Sequence, residues 1–180
     1  MRQVKVEPNI FSCNAWINAC EKGQQLRRAL ALFSEMLEAT VEPDVKSYNA
    51  GISACGKCEQ WLQALSLLSG MWEVRLDPTV ISYSSGISAC AKGEQWQRAL
   101  SLLSEMWEVR LEPHVISYSS GISACANGQQ WQRALSLLTE MLVAKVEPDA
   151  ISSNAGISAC EGRAVAAGSI AAQRDVGSEI

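Results

Sequence analysis

The sequence predicts an all-α fold, an α-solenoid of helix-turn-helix hairpins stacked with a 35-residue repeat, and three observations carry that expectation. The only prolines are Pro8, Pro43, Pro78, Pro113 and Pro148, and every gap between neighbours is 35 residues. The same step links Cys20, Cys55, Cys90, Cys125 and Cys160, then Met1, Met36, Met71, Met106 and Met141, and then Trp61, Trp96 and Trp131. Finally, the stretch from Val80 to His114 is written again from Val115 to Asp149 with 26 of 35 positions identical. A fixed period between roughly 20 and 50 residues marks stacked supersecondary units, so the fold reduces to one unit.

Within the unit, Pro113 and His114 mark an extended link, after which Tyr118, Gly121, Ile122 and Cys125 recur at steps of three and four. That spacing puts one apolar stripe on a helix and predicts the first helix over about Ser117 to Ala126. Its counterpart is expected to end at Lys92-Gly93, with the glycine as a left-handed exit residue. Trp96, Ala99, Leu100, Leu103, Met106 and Trp107 then predict a longer amphipathic second helix, and Pro113 forbids its continuation through the link VRLEPH. Two such helices form an antiparallel hairpin that leaves apolar surface for the next hairpin to cover. Gly51, Gly86, Gly121 and Gly156 sit inside the first helix, where glycine costs about 1 kcal/mol relative to alanine. Close helix approach is the expected compensation.

The units run 10–44, 45–79, 80–114 and 115–149, with 1–9 the tail of a truncated repeat and 150–162 a partial fifth. Met1 falls on the methionine lattice, which predicts either a start inside a longer array or a start placed at an internal methionine. Such missing ends are expected to expose hairpin faces and to make the chain marginally stable or self-associating. Beyond Cys160, residues 163–180 lack the tryptophan, the Ala-Leu pair and the proline of a second helix, and form an atypical tail suited to disorder or to a closing helix.

The 180 residues are 48% hydrophobic with a net charge of −4 and a pI near 5.1, which argues against a coat of positive charge and leaves room for a local basic stripe. Five of the seven cysteines occupy one lattice site facing a core, which predicts reduced thiols in an intracellular protein. No apolar run reaches the ~18 residues of a membrane span, and the N-terminus has no signal-peptide core.

The order Val-x-x-Tyr-Asn/Ser, Ala-Cys-x-x-Gly, Ala-Leu-x-Leu-Leu/Phe-x-x-Met and Glu-Pro-Asp, at a period of 35 from Met1 to about Cys160, resembles the pentatricopeptide repeat family. Tetratricopeptide repeats step by about 34 and carry a Trp-x-x-Leu-Gly-x-x-Tyr pattern absent here. The resemblance implies a right-handed superhelix that binds single-stranded RNA sequence-specifically, one base per repeat. It assigns base selection to the polar residue after the tyrosine position and to the last residue of the repeat. Here the pairs are Asn14 with Asp44, Asn49 with Thr79, Ser84 with His114, and Ser119 with Asp149, while Asn154 heads the incomplete repeat and Asn9 has lost its partner. Asn with Asp resembles a uracil-preferring pair and Ser with Asp a weaker guanine-preferring one; the other two pairs depart from the family pattern.

The resemblance also implies that bases are held between apolar residues, at positions filled by Phe11, Ile81, Ile116 and Ile151, with Lys46 a departure. Lys22, Lys57 and Lys92 match a place where the family meets phosphate, and Asn127 interrupts that ladder. Plainer roles compete with these. Lysines recur whenever a repeat is duplicated, Asn and Ser near a helix start can cap it, and the Trp and Met lattices suit a core.

No catalytic constellation is evident. Cys55-Gly-Lys-Cys58 supplies two ligands where structural zinc needs four, and His114 is the only histidine. The His-x-Glu and second CxxC of a deaminase are missing, as are a P-loop and a Ser/Cys-His arrangement. The expectation is an RNA-binding array that is not an enzyme, with no cofactor, no metal, no small-molecule substrate and no membrane, acting in mitochondria or plastids with protein effectors as the resemblance implies. The alternative is a helical-repeat scaffold for protein-protein interaction. An enzyme remains only through a catalytic domain outside this sequence.

Overall fold

The computed structural model describes residues 42–159 continuously and, before them, positions 10, 14, 15, 19, 23, 27, 28, 31, 33, 35 and 36. Within residues 42–149, six helices of 13 residues follow one another: α1 Val45–Lys57, α2 Trp61–Glu73, α3 Val80–Lys92, α4 Trp96–Glu108, α5 Val115–Asn127 and α6 Trp131–Val143. Residues 150–159 are helical as well, and there is no strand among the described residues. The first helix of the unit 115–149 begins two residues before the expected Ser117, because His114 serves as its N-cap and Val115 already lies in the helix.

Each first helix pairs with the second helix behind it, as the apolar stripes require. Tyr83 of α3 meets Glu105 of α4, and three residues further along α3 a side chain on Gly86 would meet Leu102, three residues earlier on α4. The two helices therefore run antiparallel. Neighbouring first helices, α1 with α3 and α3 with α5, also pack side by side, whereas the backbones of α2 and α4, and of α4 and α6, stand further apart. There α4 and α6 meet through side chains, with the Arg133 guanidinium 5.5 Å from the Trp96 ring centroid. The hairpins are thus tight at their first helices and splayed at their second ones. Stacking wedges of this kind makes an all-α helical-repeat solenoid.

The core is the repeated stripe itself. Tyr83, Tyr118, Ile52, Ile87, Ile122, Met71, Met106, Met141, Cys55, Cys90 and Cys125 are fully buried. Burial pushes the thiols of Cys55, Cys90 and Cys125 up to about 11, as expected of cysteines that act as small core residues. Cys20 and Cys160 lie outside the described residues. Met36, Met71, Met106 and Met141 are core, but the tryptophans are not uniformly so: Trp61, Trp96 and Trp131 are half-buried against the core, while Trp107, expected on the apolar stripe, is exposed.

The glycines correct one expectation and support another. Gly93 and Gly128 have ordinary φ values of −82° and −79°, and the left-handed residue is the next one, Glu94 at 58° and Gln129 at 56°. The Gln95 N–H then closes the turn on the Cys90 carbonyl at 2.8 Å, a Schellman exit without glycine in its left-handed place. Gly93 is instead a close-approach residue, since a Cβ there would lie 2.4 Å from Trp61 Cδ1. Inside α5, a Cβ on Gly121 would lie 2.5 Å from Leu103 Cδ1, so close helix packing does compensate for its helix cost.

Candidate nucleic-acid interface

A cleft of about 210 Å³ brings six of the sequence-predicted residues together. It is lined by Ile81, Ser84 and Lys92 of α3, by Lys57 of α1, and by His114 and Ile116 at the start of α5. Helical geometry explains the grouping: within α3, Ser84 lies three residues after Ile81 and Lys92 two turns further, so all three share a face. The isoleucines recur down that surface, with Ile81, Ile116 and Ile151 62%, 57% and 60% exposed. Lys46, at the same lattice site of α1, is also exposed.

The two members of each pair belong to one unit and come together at its end, though not all directly. Asn14 Nδ2 donates to Asp44 Oδ1 at 3.1 Å, and Ser119 Oγ donates to Asp149 Oδ1 at 2.9 Å. Asn49 meets Thr79 through Ser82, whose hydroxyl donates to Asn49 Oδ1 at 2.6 Å and lies 3.2 Å from Thr79 Oγ1. Ser84 meets His114 through Ser117, 2.9 Å from Ser84 Oγ and 3.0 Å from His114 Nδ1. Asn154 is exposed, and Phe11 and Lys22 lie outside the described residues.

Helix capping falls on the other member in three of the four pairs. Asn49, Ser84 and Ser119 are fifth residues of their helices, too far in to cap. The caps are Asp44 and Thr79, each in a capping box with the serine three residues on, and Asp149, whose carboxylate accepts from the Ser152 N–H at 2.8 Å. His114 occupies the N-cap position without a side-chain cap bond. For Asp44, burial opposes ionisation, but the Ser47 N–H and hydroxyl and the Asn14 amide outweigh it and hold the carboxyl below its ordinary range. For Asp149 the Ser152 N–H does most of the lowering, against a small burial cost. Both carboxylates are therefore fixed acceptors at neutral pH.

Lys57 and Lys92 stand in the last turns of α1 and α3, where a cation also suits the helix dipole. At the next lattice site Asn127 Nδ2 instead donates to the Ala91 carbonyl at 3.3 Å. Residues that sequence reasoning passed over are the buried Ser47, Ser82 and Ser117 and the cleft-lining Ser53 and Ser88. Their signal was present, since a serine precedes each of Tyr48, Tyr83 and Tyr118 on the 35-residue lattice. Among the described residues, no group of three or more His, Cys, Asp or Glu could hold a metal ion, and no helix is long and apolar enough to cross a membrane.

Chains of known structure share this architecture. The pentatricopeptide repeat protein PPR10 from maize, solved with an 18-nt psaJ RNA element, superposes with a TM-score of 0.77 over 91% of this chain at 22% identity. The chain spans 24% of PPR10. The PPR domain of Arabidopsis thaliana protein-only RNase P 1, solved with tRNA, gives a TM-score of 0.75 at 15% identity, covering 95% of this chain and 92% of that one. At these identities the likeness is one of fold. No curated protein sequence matches. Family models find the repeat directly: the PPR repeat family over residues 8–57, the PPR repeat over 46–76, and the pentatricopeptide repeat domain over 87–128 and 101–163. With the repeat matched along most of its length and the hairpin stack in place, the chain belongs to the pentatricopeptide repeat family.

Proposed function

We propose that the chain binds single-stranded RNA through the surface of its first helices, one nucleotide per unit, with the base recognised by the residue pairs at the unit boundaries. The observation that carries this reading is the cleft of Ile81, Ile116, Ser84, His114, Lys57 and Lys92. It combines the three chemistries a nucleotide requires: exposed apolar walls for a base, hydrogen-bonding groups for its edge, and cations for its phosphate. Ile81 and Ile116 act as walls, Ser84 with His114 as selectors, and Lys57 and Lys92 as backbone contacts. The same roles fall to Asn14 with Asp44, Asn49 with Thr79, Ser119 with Asp149, to Asn154, and to Ile151. PPR10 and the RNase P 1 domain, both solved with RNA, support the reading through their shared fold. The chain performs no chemistry on the RNA; it holds a segment and so recruits or blocks other factors, on organellar transcripts as the family resemblance implies.

The test is salt dependence. Each phosphate contact gives a slope of about −0.7 in log affinity against log salt for single strands, so replacing Lys57 and Lys92 with glutamine should flatten the slope by about 1.4. A second reading, a protein-binding scaffold, is favoured by repeated grooves between successive second helices, where Trp72 and Trp107 are 44% and 47% exposed. No RNA binding even at low salt, with peptide captured by those grooves, would decide for the scaffold.

A further inference from the structure

Ser47, Ser82 and Ser117 are the third residues of α1, α3 and α5, and each is completely buried. A buried hydroxyl must find partners, and these find theirs in both members of the selector pair: Ser47 Oγ lies 2.5 Å from Asn14 Oδ1 and 2.9 Å from Asp44 Oδ1. We infer that the base-reading set is a triad, in which Ser47, Ser82 and Ser117 are positioning residues that decide which atom of the selector turns toward the nucleotide. The inference rests on the RNA-reading proposal above and adds a specificity-determining residue to it.

Proton accounting gives the mechanism, because a hydroxyl has one proton to donate. Ser82 donates its proton to Asn49 Oδ1 at 2.6 Å and accepts the Thr79 N–H at 3.0 Å. That short bond turns the Asn49 carbonyl toward Ser82 and leaves Nδ2 to donate. In the first unit the Ser47 hydroxyl bridges Asn14 Oδ1 at 2.5 Å and Asp44 Oδ1 at 2.9 Å, and Asp44 takes one of the two amide N–H groups at 3.1 Å, leaving one for a ligand. At Ser84 the polarity inverts. Ser84 donates its only proton to the Val80 carbonyl at 2.5 Å, so Ser117 must donate to Ser84 Oγ. Ser117 Oγ then accepts from His114 Nδ1–H at 3.0 Å, and a neutral imidazole held this way has only the Nε2 lone pair left to offer. Units with asparagine thus present a donor, and the unit 80–114 presents an acceptor, through the same buried serine site.

The experiment uses the full chain and a panel of short single-stranded RNAs in which each position is varied through four bases. The wild type should discriminate at the nucleotide facing Asn49. Ser82→Ala should reduce that discrimination about tenfold, the scale of one well-made base contact, without altering preference at the other nucleotides. Ser82→Thr keeps the hydroxyl and should keep the preference. A role confined to helix capping would lower the melting temperature of Ser82→Ala and leave base preference intact, which overturns the inference while the RNA-reading proposal stands. Absence of discrimination by the wild type removes both. Should Ser82→Ala fail to fold, NMR relaxation of the free wild-type chain decides: an Asn49 side chain held by Ser82 gives a side-chain amide nitrogen as ordered as the rigid backbone, and one that reorients freely contradicts the triad.

Discussion

The units 80–114 and 115–149 differ at nine of their 35 positions, and none of those nine side chains is buried in either unit. The buried set is duplicated without change: Tyr83 and Tyr118, Ile87 and Ile122, Cys90 and Cys125, Ala99 and Ala134, Met106 and Met141. Even the polar contact of the buried tyrosine is kept, Tyr83 to Glu105 at 2.7 Å and Tyr118 to Glu140 at 3.3 Å. Two of the differences fall on the first-helix surface, Lys92 against Asn127 and His114 against Asp149. Most of the others gather toward the ends of α4 and α6, from Trp107 against Leu142 to Leu111 against Val146. Close packing penalises any change of volume in the core, whereas a side chain outside the core is free to vary. The comparison teaches that one buried scaffold was copied while its surface diverged.

The largest expected effect tests the scaffold half of that comparison. Ile87→Ala and Ile122→Ala each remove a fully buried side chain from equivalent surroundings and should each cost about 2–5 kcal/mol, measured by thermal or denaturant unfolding. Costs of clearly different size would show that the two units are not one scaffold. A smaller effect separates the cation sites: Lys92→Asn should reduce the salt slope of RNA binding by about 0.7, and Asn127→Lys should raise it by the same amount. If Asn127→Lys changes nothing, the lysine ladder serves the helix dipole alone.

The smallest effect sharpens the difference at the caps. Asp149 caps the helix from residue 150 with a carboxyl held below its ordinary value, so its contribution is present in full above pH about 4 and is lost as pH falls through the lowered pKa. Amide protection at Ser152 and Ser153 should fall there, while the start of α5, where His114 makes no cap bond, should be indifferent to that titration. Equal loss at both helices would mean that the carboxylate cap is not the cause.

The hairpin and its stacking were legible because burial imposes periodicity: Tyr118, Ile122 and Cys125 mark a buried stripe in the letters alone, and Pro113 marks its end. The exits were not. Gly93 reads locally as a left-handed cap, but its reason is Trp61, a residue of the neighbouring hairpin, and no local pattern carries that contact. Trp107 was misread for a related reason, since a residue on the apolar edge of an amphipathic helix is buried only if the adjacent second helix comes close, and the backbones of α4 and α6 stay apart. Of the candidate site, Ile81, Ser84, Lys57, Lys92 and His114 were legible through the family resemblance and do share a cleft. Ser117 was hidden because a serine inside a helix carries no message until its two partners, both in the preceding unit, are seen.

The central claim is that the residue pair at a unit boundary selects the base, and exchanging the one differing member tests it most directly. His114→Asp gives the unit 80–114 the Ser-with-Asp pair of its neighbour, and Asp149→His does the reverse. In competition binding against four RNAs that differ only at the facing nucleotide, His114→Asp should gain the preference of the unit 115–149, expected to be guanine, by about tenfold in relative affinity, and Asp149→His should lose it. Base preference unchanged in both variants, with RNA still bound, would contradict the claim.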